Sequence, residues 1–244
     1  MNKIKKIIVF ILKKIAFFRY HSDPSIYYKE SLEELIFKLY TEEALKECYE
    51  EFKKYFSEAI FLDNTNIREY SIKKAIENDK KNEFFYLEFG VYKGESINYF
   101  SKLIKNNKIY GFDSFEGLIE DWKGTFNGPK GTFNLHRNMP KVSDNVILVK
   151  GVIQNTLLNF LKEKPNIKIN FVHMDVDTYE STNFILKTIK PFLTDKCIII
   201  FDEIYNFIGW KSGEYKALKE SFKESEIKFL AFSKNGARAV IEIQ

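Results

Sequence analysis

The chain has 244 residues, 45% of them hydrophobic and 30% charged, which is enough for one substantial core and too apolar for disorder to dominate. Its formal net charge is only +4, and most lysines are interleaved with acids, which argues against a nucleic-acid partner. The two cysteines, Cys48 and Cys197, are far apart and lack CxxC or His-rich company, so neither a disulfide framework nor a zinc site is indicated and a reducing cytoplasm fits.

The first residues are cationic: Lys3, Lys5, Lys6, Lys13, Lys14 and Arg19 precede the first acid, Asp23. Ile4, Ile7, Ile8, Ile11, Leu12 and Ile15 keep the rhythm of one helical face, which predicts a basic amphipathic helix over residues 1–22. Its apolar stretch Ile7 to Leu12 is too short to span a bilayer, and no small-residue cleavage site follows. Two readings have equal weight: peripheral contact of residues 1–20 with the inner face of a membrane, or packing on the same domain or on a second subunit of a homo-oligomer. Residues 23–80 then read as a helical cap region, with Leu32, Leu35, Ile36 and Leu39 at helix spacing and Ser31 with Glu34 as a capping box.

From residue 81 to 244 the texture changes to short apolar runs alternating with helical stretches: Phe84 to Phe89, Lys108 to Phe112, Val146 to Val149, Ile169 to Met174 and Cys197 to Phe201. Such alternation predicts an α/β domain with a mainly parallel sheet. Ile227 to Ser233 and Arg238 to Ile243 flank Asn235-Gly236, a turn dipeptide, so the last two strands should form an antiparallel hairpin. Parallel strands closed by such a hairpin are similar to the Rossmann-like sheet of class I methyltransferases, here with added N-terminal helices.

Two glycines, Gly90 and Gly94, follow the first of these strands directly, where glycine lets a backbone turn sharply beside a ligand. Nineteen residues after Gly94 the next strand ends in Phe112-Asp113, where a carboxylate can bond both hydroxyls of a ribose. Glu88 adds an acid beside the turn, which would repel a diphosphate but not the ammonium and sulfonium of S-adenosylmethionine.

Four further stretches extend this pattern: Phe112-Asp113-Ser114-Phe115-Glu116-Gly117-Leu118, Lys150-Gly151 leading into Asn155-Thr156-Leu157, Asp175-Val176-Asp177-Thr178-Tyr179-Glu180-Ser181-Thr182, and Phe201-Asp202-Glu203. With Glu88-Phe89-Gly90-Val91 they resemble the macrocin O-methyltransferase family over roughly residues 66–240. The resemblance implies S-adenosylmethionine as cofactor, with Asp113 and the adjoining Ser114 at the ribose. It implies that Glu88, Gly90, Gly94 and Ser96 surround the methionine portion, and that Gly151 and Gln154 border the adenine.

Asp175 with Asp177, and Asp202 with Glu203, fall at the carboxyl ends of neighbouring predicted strands, the edge where open α/β sheets bind ligands. Four converging carboxylates call for a cation or for protonation, and an all-oxygen set suits Mg²⁺ or another hard divalent ion better than zinc. By the family resemblance, and by that to catechol O-methyltransferase, the metal ligands are Asp175, Asp202 and Glu203. Asp177 and His173 are rival candidates for the general base. Asp177 has a helix cap as its alternative role, and His173 has that of a hydrogen-bonded core residue.

Between the second and third of these strands, Leu118 to Asp144 is long enough to be a lid or binding surface, and it carries Trp122, Phe133, His136 and Arg137. Tyr205 to Tyr215, with Trp210 and Glu214, should form a second wall of the same crevice. The expected activity is metal-assisted methylation of a hydroxyl, on a sugar in a glycan or in a glycosylated metabolite. The alternatives are an NAD-linked oxidoreductase using the same glycine turn, and a non-catalytic membrane-associated scaffold that keeps the fold.

Overall fold

The structure, a computed structural model, describes residues 24–104, 107–124 and 128–244, with side chains from residue 35 onward. The basic helix predicted over residues 1–22 lies outside the described residues. Two compact units divide between Lys46 and Glu47.

Helix α1 (Pro24–Phe56) contributes its residues through Lys46 to the first unit. Ser31 falls inside this helix, so the Ser31–Glu34 pair does not mark a helix start. Leu35, Ile36 and Leu39, grouped by helical spacing, are exposed.

The second unit holds the last turns of α1, then β1 (Ile60–Leu62), α2 (Asn64–Asn78), β2 (Phe85–Phe89), α3 (Glu95–Leu103), β3 (Ile109–Asp113) and β4 (Val146–Lys150). There follow α4 (Ile153–Glu163), β5 (Ile169–Met174), α5 (Tyr179–Ile189), β6 (Leu193–Phe201), α6 (Glu214–Ser221), β7 (Ile227–Ser233) and β8 (Ala239–Ile243). The eight strands form one sheet in the order β1-β7-β8-β6-β5-β2-β3-β4. All pairings are parallel except those of β8 with β6 and with β7, so the C-terminal hairpin is antiparallel as its turn dipeptide predicts. Strand β1, at one edge beside β7, falls within the region read from sequence as wholly helical. It and α2 belong to the same compact unit as the larger sheet, a unit that spans Glu47–Gln244.

The central strand β5 is buried along all six residues, as befits a parallel strand covered on both faces. On one face Leu87, Phe89, Val172, Met174, Ile199 and Phe201 pack against α4, α5 and α6, and Phe52 of α1 enters this cluster fully buried. On the other, Tyr86, Phe171, Ile198 and Ile200 meet α2 and α3. Asp63 starts α2 by accepting hydrogen bonds from the Thr65 and Asn66 amides at 3.1 and 2.9 Å. Among the described residues, no helix is long and apolar enough to cross a membrane.

Candidate active site

The glycine turn after β2 is built from both neighbouring strands. Gly90 has a φ of +86°, its amide donates to the Phe112 carbonyl at 3.0 Å, and a Cβ there would lie 1.7 Å from the Asp175 carbonyl oxygen. Only glycine allows so close an approach. Asp113, at the end of β3, holds the turn from the other side. Its Oδ2 accepts from the Val91 and Tyr92 amides, both at 2.8 Å, and its Oδ1 from the Phe115 amide at 2.6 Å. A carboxylate has about four acceptor positions, so Asp113 retains capacity for a hydroxyl ligand.

A cavity of about 400 Å³ opens at this carboxyl edge of the sheet, in the usual range for small-molecule sites. Gly90, Asp113, Ser114 and Gln154 line it, as do Asp175, Asp177 and Glu203. Glu88, Gly94, Ser96 and Gly151 do not. Gly94 instead opens α3 with a φ of +81°, and the Gly151 amide ties β4 to the Asp113 carbonyl at 2.9 Å. Glu88 and Ser96 are buried against each other, the Ser96 hydroxyl donating to Glu88 at 2.9 Å. Among the described residues, no lysine, arginine or histidine lines the cavity.

Oxygens of Asp175, Asp177 and Glu203 lie within 4.8 Å of one another, as do ligand atoms of His173, Asp175 and Asp202. Burial pushes the Asp175, Glu203 and Glu214 carboxyls well above the ordinary carboxylate range, and nearby acids add to the effect. Burial, followed by the charge of Asp202, raises Asp177 to about 7. Glu214, the first residue of α6, is fully buried beneath the site and accepts from the Glu203 amide at 3.1 Å. Glu203 Oε2 and Glu214 Oε1 are buried without hydrogen-bond partners. Such orphaned acceptors in a crowded acid cluster fit a bound hard cation. Asp177 has a φ of +62°, and the N-cap of α5 is the next residue, Thr178. Asp177 therefore faces the cavity and does not cap the helix.

Asp202 is placed differently from its neighbour Glu203. Arg238 grips it with two bonds, Nε to Oδ1 at 2.5 Å and Nη2 to Oδ2 at 2.7 Å, and Arg68 Nη2 adds a third to Oδ1 at 3.0 Å. His173 Nε2 lies 3.3 Å from the same Oδ1, and His173 Nδ1 lies 3.0 Å from Glu88. Strand register causes the second contact, since Glu88 and His173 are partners across β2 and β5. Burial alone would depress the imidazole, but Glu88 and Asp202 outweigh it and raise His173 to about 9. With no exposure and both ring nitrogens engaged, His173 is a charged core residue and has no free nitrogen for a substrate. Of its two expected roles, general base and hydrogen-bonded core residue, this arrangement matches the second. Asp202, despite its burial, is held below the ordinary carboxylate range by His173 and Arg238.

The long segment after β3 folds back on itself over the cavity. Leu118 and Thr132 bond through their backbones at 2.9 Å, and the Leu135 and Arg137 amides both reach the Phe115 carbonyl, at 3.1 and 2.9 Å. Trp122 and Phe133 face the cavity, whereas Arg137 pairs outside it with Glu116 at 2.7 Å. A second groove of about 300 Å³ adjoins, sharing Trp122, Asp177 and Thr178 with the first and reaching Lys123, Lys211 and Lys216. Trp210 and Tyr215, expected as cavity wall, belong to the core, with ring centroids 5.7 and 4.8 Å from that of Phe52. Their aromatic spacing could not distinguish a wall from a core cluster. Arg68 and Arg238 gave no sequence signal, because their partner lies 134 and 36 residues away.

Residues 87–204 match the family model of a methyltransferase domain. No curated protein matches the chain. Similar solved structures include CalS11, a calicheamicin methyltransferase, at a TM-score of 0.60 and 23% identity over 71% of this chain and 77% of that one. Its apo form is described as a TDP-rhamnose 3'-O-methyltransferase of calicheamicin biosynthesis. The O-methyltransferase NovP aligns with a TM-score of 0.54 and 16% identity over 74% of this chain and 78% of that one. The methyltransferase PaMTH1 of Podospora anserina, bound to SAH, aligns with a TM-score of 0.50 and 16% identity over 82% and 88%. The fold is that of a class I methyltransferase, the coarser part of what the sequence resemblance implies.

Proposed function

We propose that the protein is an S-adenosylmethionine-dependent O-methyltransferase of the macrocin type, acting on a sugar hydroxyl in a glycan or small-molecule metabolite. The observation that carries this reading is the cavity's acidic lining: among the described residues, Asp113, Asp175, Asp177 and Glu203 line it and no basic residue does. Such a lining attracts the sulfonium and ammonium of S-adenosylmethionine and repels the diphosphate of NAD. Asp113 and Ser114 would take the ribose and Gln154 the adenine side, with the reactive methyl directed toward the acids after β5 and β6.

The acceptor enters from the adjoining groove, where Trp122 offers a stacking face and Asp177 is common to both spaces. Its oxygen attacks the methyl carbon in line. The O–C bond forms as the S–C bond breaks, S-adenosylhomocysteine leaves neutral, and the hydroxyl proton passes to Asp177. A carboxylate poised near 7 suits that transfer at neutral pH. The sugar preference follows the stated activity of the similar CalS11 and the polar, Trp-bearing groove.

Asp175 and Glu203 would hold a divalent ion such as Mg²⁺ beside the general base Asp177, and the ion would supply Lewis-acid polarisation of the acceptor oxygen. The test is calorimetric titration with S-adenosylmethionine and with NAD. Binding of S-adenosylmethionine alone supports the reading, and binding of NAD alone replaces it with the oxidoreductase.

A further inference from the structure

Asp202 and Glu203 are adjacent, yet their carboxylates meet opposite environments. Glu203 lines the cavity and keeps a buried oxygen without a partner, whereas Asp202 does not line it and has both oxygens engaged. The cause lies in the sheet. Strand β8 runs antiparallel to β6 with Ala239 opposite Phe201 and Val240 opposite Ile200, so the next pair in register is Arg238 with Asp202. The Ser233 hydroxyl oxygen accepts the Arg238 amide at 3.1 Å and fixes the start of β8. Arg68 approaches the same carboxylate from α2, and both arginines lie outside the matched residues 87–204.

We propose that Arg238, assisted by Arg68, is a positioning residue that holds Asp202 out of the cation site and leaves that site to Asp175 and Glu203, beside Asp177. The inference rests on the cation reading given above. A bidentate guanidinium pair is the geometry in which carboxylates are held most specifically. An ion seeking Asp202 must displace it while facing two guanidinium charges. Glu88, His173, Asp202, Arg68 and Arg238 thus form a continuous charge network behind the cavity, its two arginines partly exposed. The cavity acids stand in front of it.

The test is Mn²⁺ titration of the whole protein by calorimetry without acceptor, using wild type, Arg238→Gln, Arg68→Gln and each combined with Asp202→Asn. Freeing Asp202 should tighten Mn²⁺ binding, by about tenfold in Arg238→Gln and about threefold in Arg68→Gln. The gain should vanish in the Asp202→Asn background. A purely structural role would leave affinity unchanged or lower it together with stability, and that result overturns the inference. If Arg238→Gln does not fold, the more exposed Arg68→Gln decides by the same sign. Wild type that fails to bind Mn²⁺ overturns the cation reading itself, and the inference with it.

Discussion

The Cα of Gly90 faces the carbonyl oxygen of Asp175 so closely that a Cβ would lie 1.7 Å away, joining the turn after β2 to the acids after β5. Gly90→Ala must therefore separate the two halves of the cavity. The left-handed conformation alone costs an alanine roughly 1–2 kcal/mol, and relieving the clash adds to it. The expected outcome is a lower thermal midpoint and at least about tenfold weaker S-adenosylmethionine binding by calorimetry, the loss exceeding what the stability change explains.

Asp113 organises three backbone amides at once. Asp113→Asn keeps the size but replaces one acceptor oxygen with a donor that must face an amide hydrogen. The expected cost is about 1–3 kcal/mol of stability for the unsatisfied groups, read by denaturant unfolding, with cofactor affinity falling by an order of magnitude or more.

The pH dependence follows from Asp177. Its folded value of about 7 exceeds its ordinary 3.8, so the folded state binds a proton that the unfolded state releases between those values. Stability from this group is present below pH 3.8 and is lost as pH rises toward 7, and Asp175, Glu203 and Glu214 shift in the same direction. Asp202, depressed, has the opposite sign and stabilises above its ordinary range. A divalent ion that neutralises the raised acids should thus increase the thermal midpoint more at pH 8 than at pH 5. Turnover should rise with an apparent pKa near 7, and Asp177→Asn should lower kcat by about 10²–10⁴.

Phe52 tests where the folded unit begins. Fully buried among Tyr205, Trp210, Tyr215, Phe229 and Phe232, it closes the core from the end of α1. Phe52→Ala should cost about 3–5 kcal/mol, measured by denaturant unfolding. A unit that began at residue 81 would be indifferent to it.

The strands and the cofactor turn were legible because their signals are local. Short apolar runs, Gly90 after a strand and Asp113 at the end of the next can each be read within a short window. Strand β1 has only three residues, two of them exposed, and so carries no apolar run. The fate of Asp202 depended on a register between β6 and β8 that no local pattern encodes, and the engagement of His173 depended on its partner Glu88 across two strands. Asp177 divided evenly between base and cap because its left-handed backbone is invisible in sequence. Thr178 takes the cap, leaving the carboxylate to the cavity.

Transfer of an isotopically labelled methyl group from S-adenosylmethionine to hydroxylated acceptors, sugars and nucleotide sugars foremost, with the product located by mass spectrometry and NMR, bears most directly on the proposed activity. The account predicts label on an acceptor oxygen with wild type and its near loss in Asp177→Asn. Label on nitrogen or carbon, or no binding of S-adenosylmethionine by the folded protein, would contradict it.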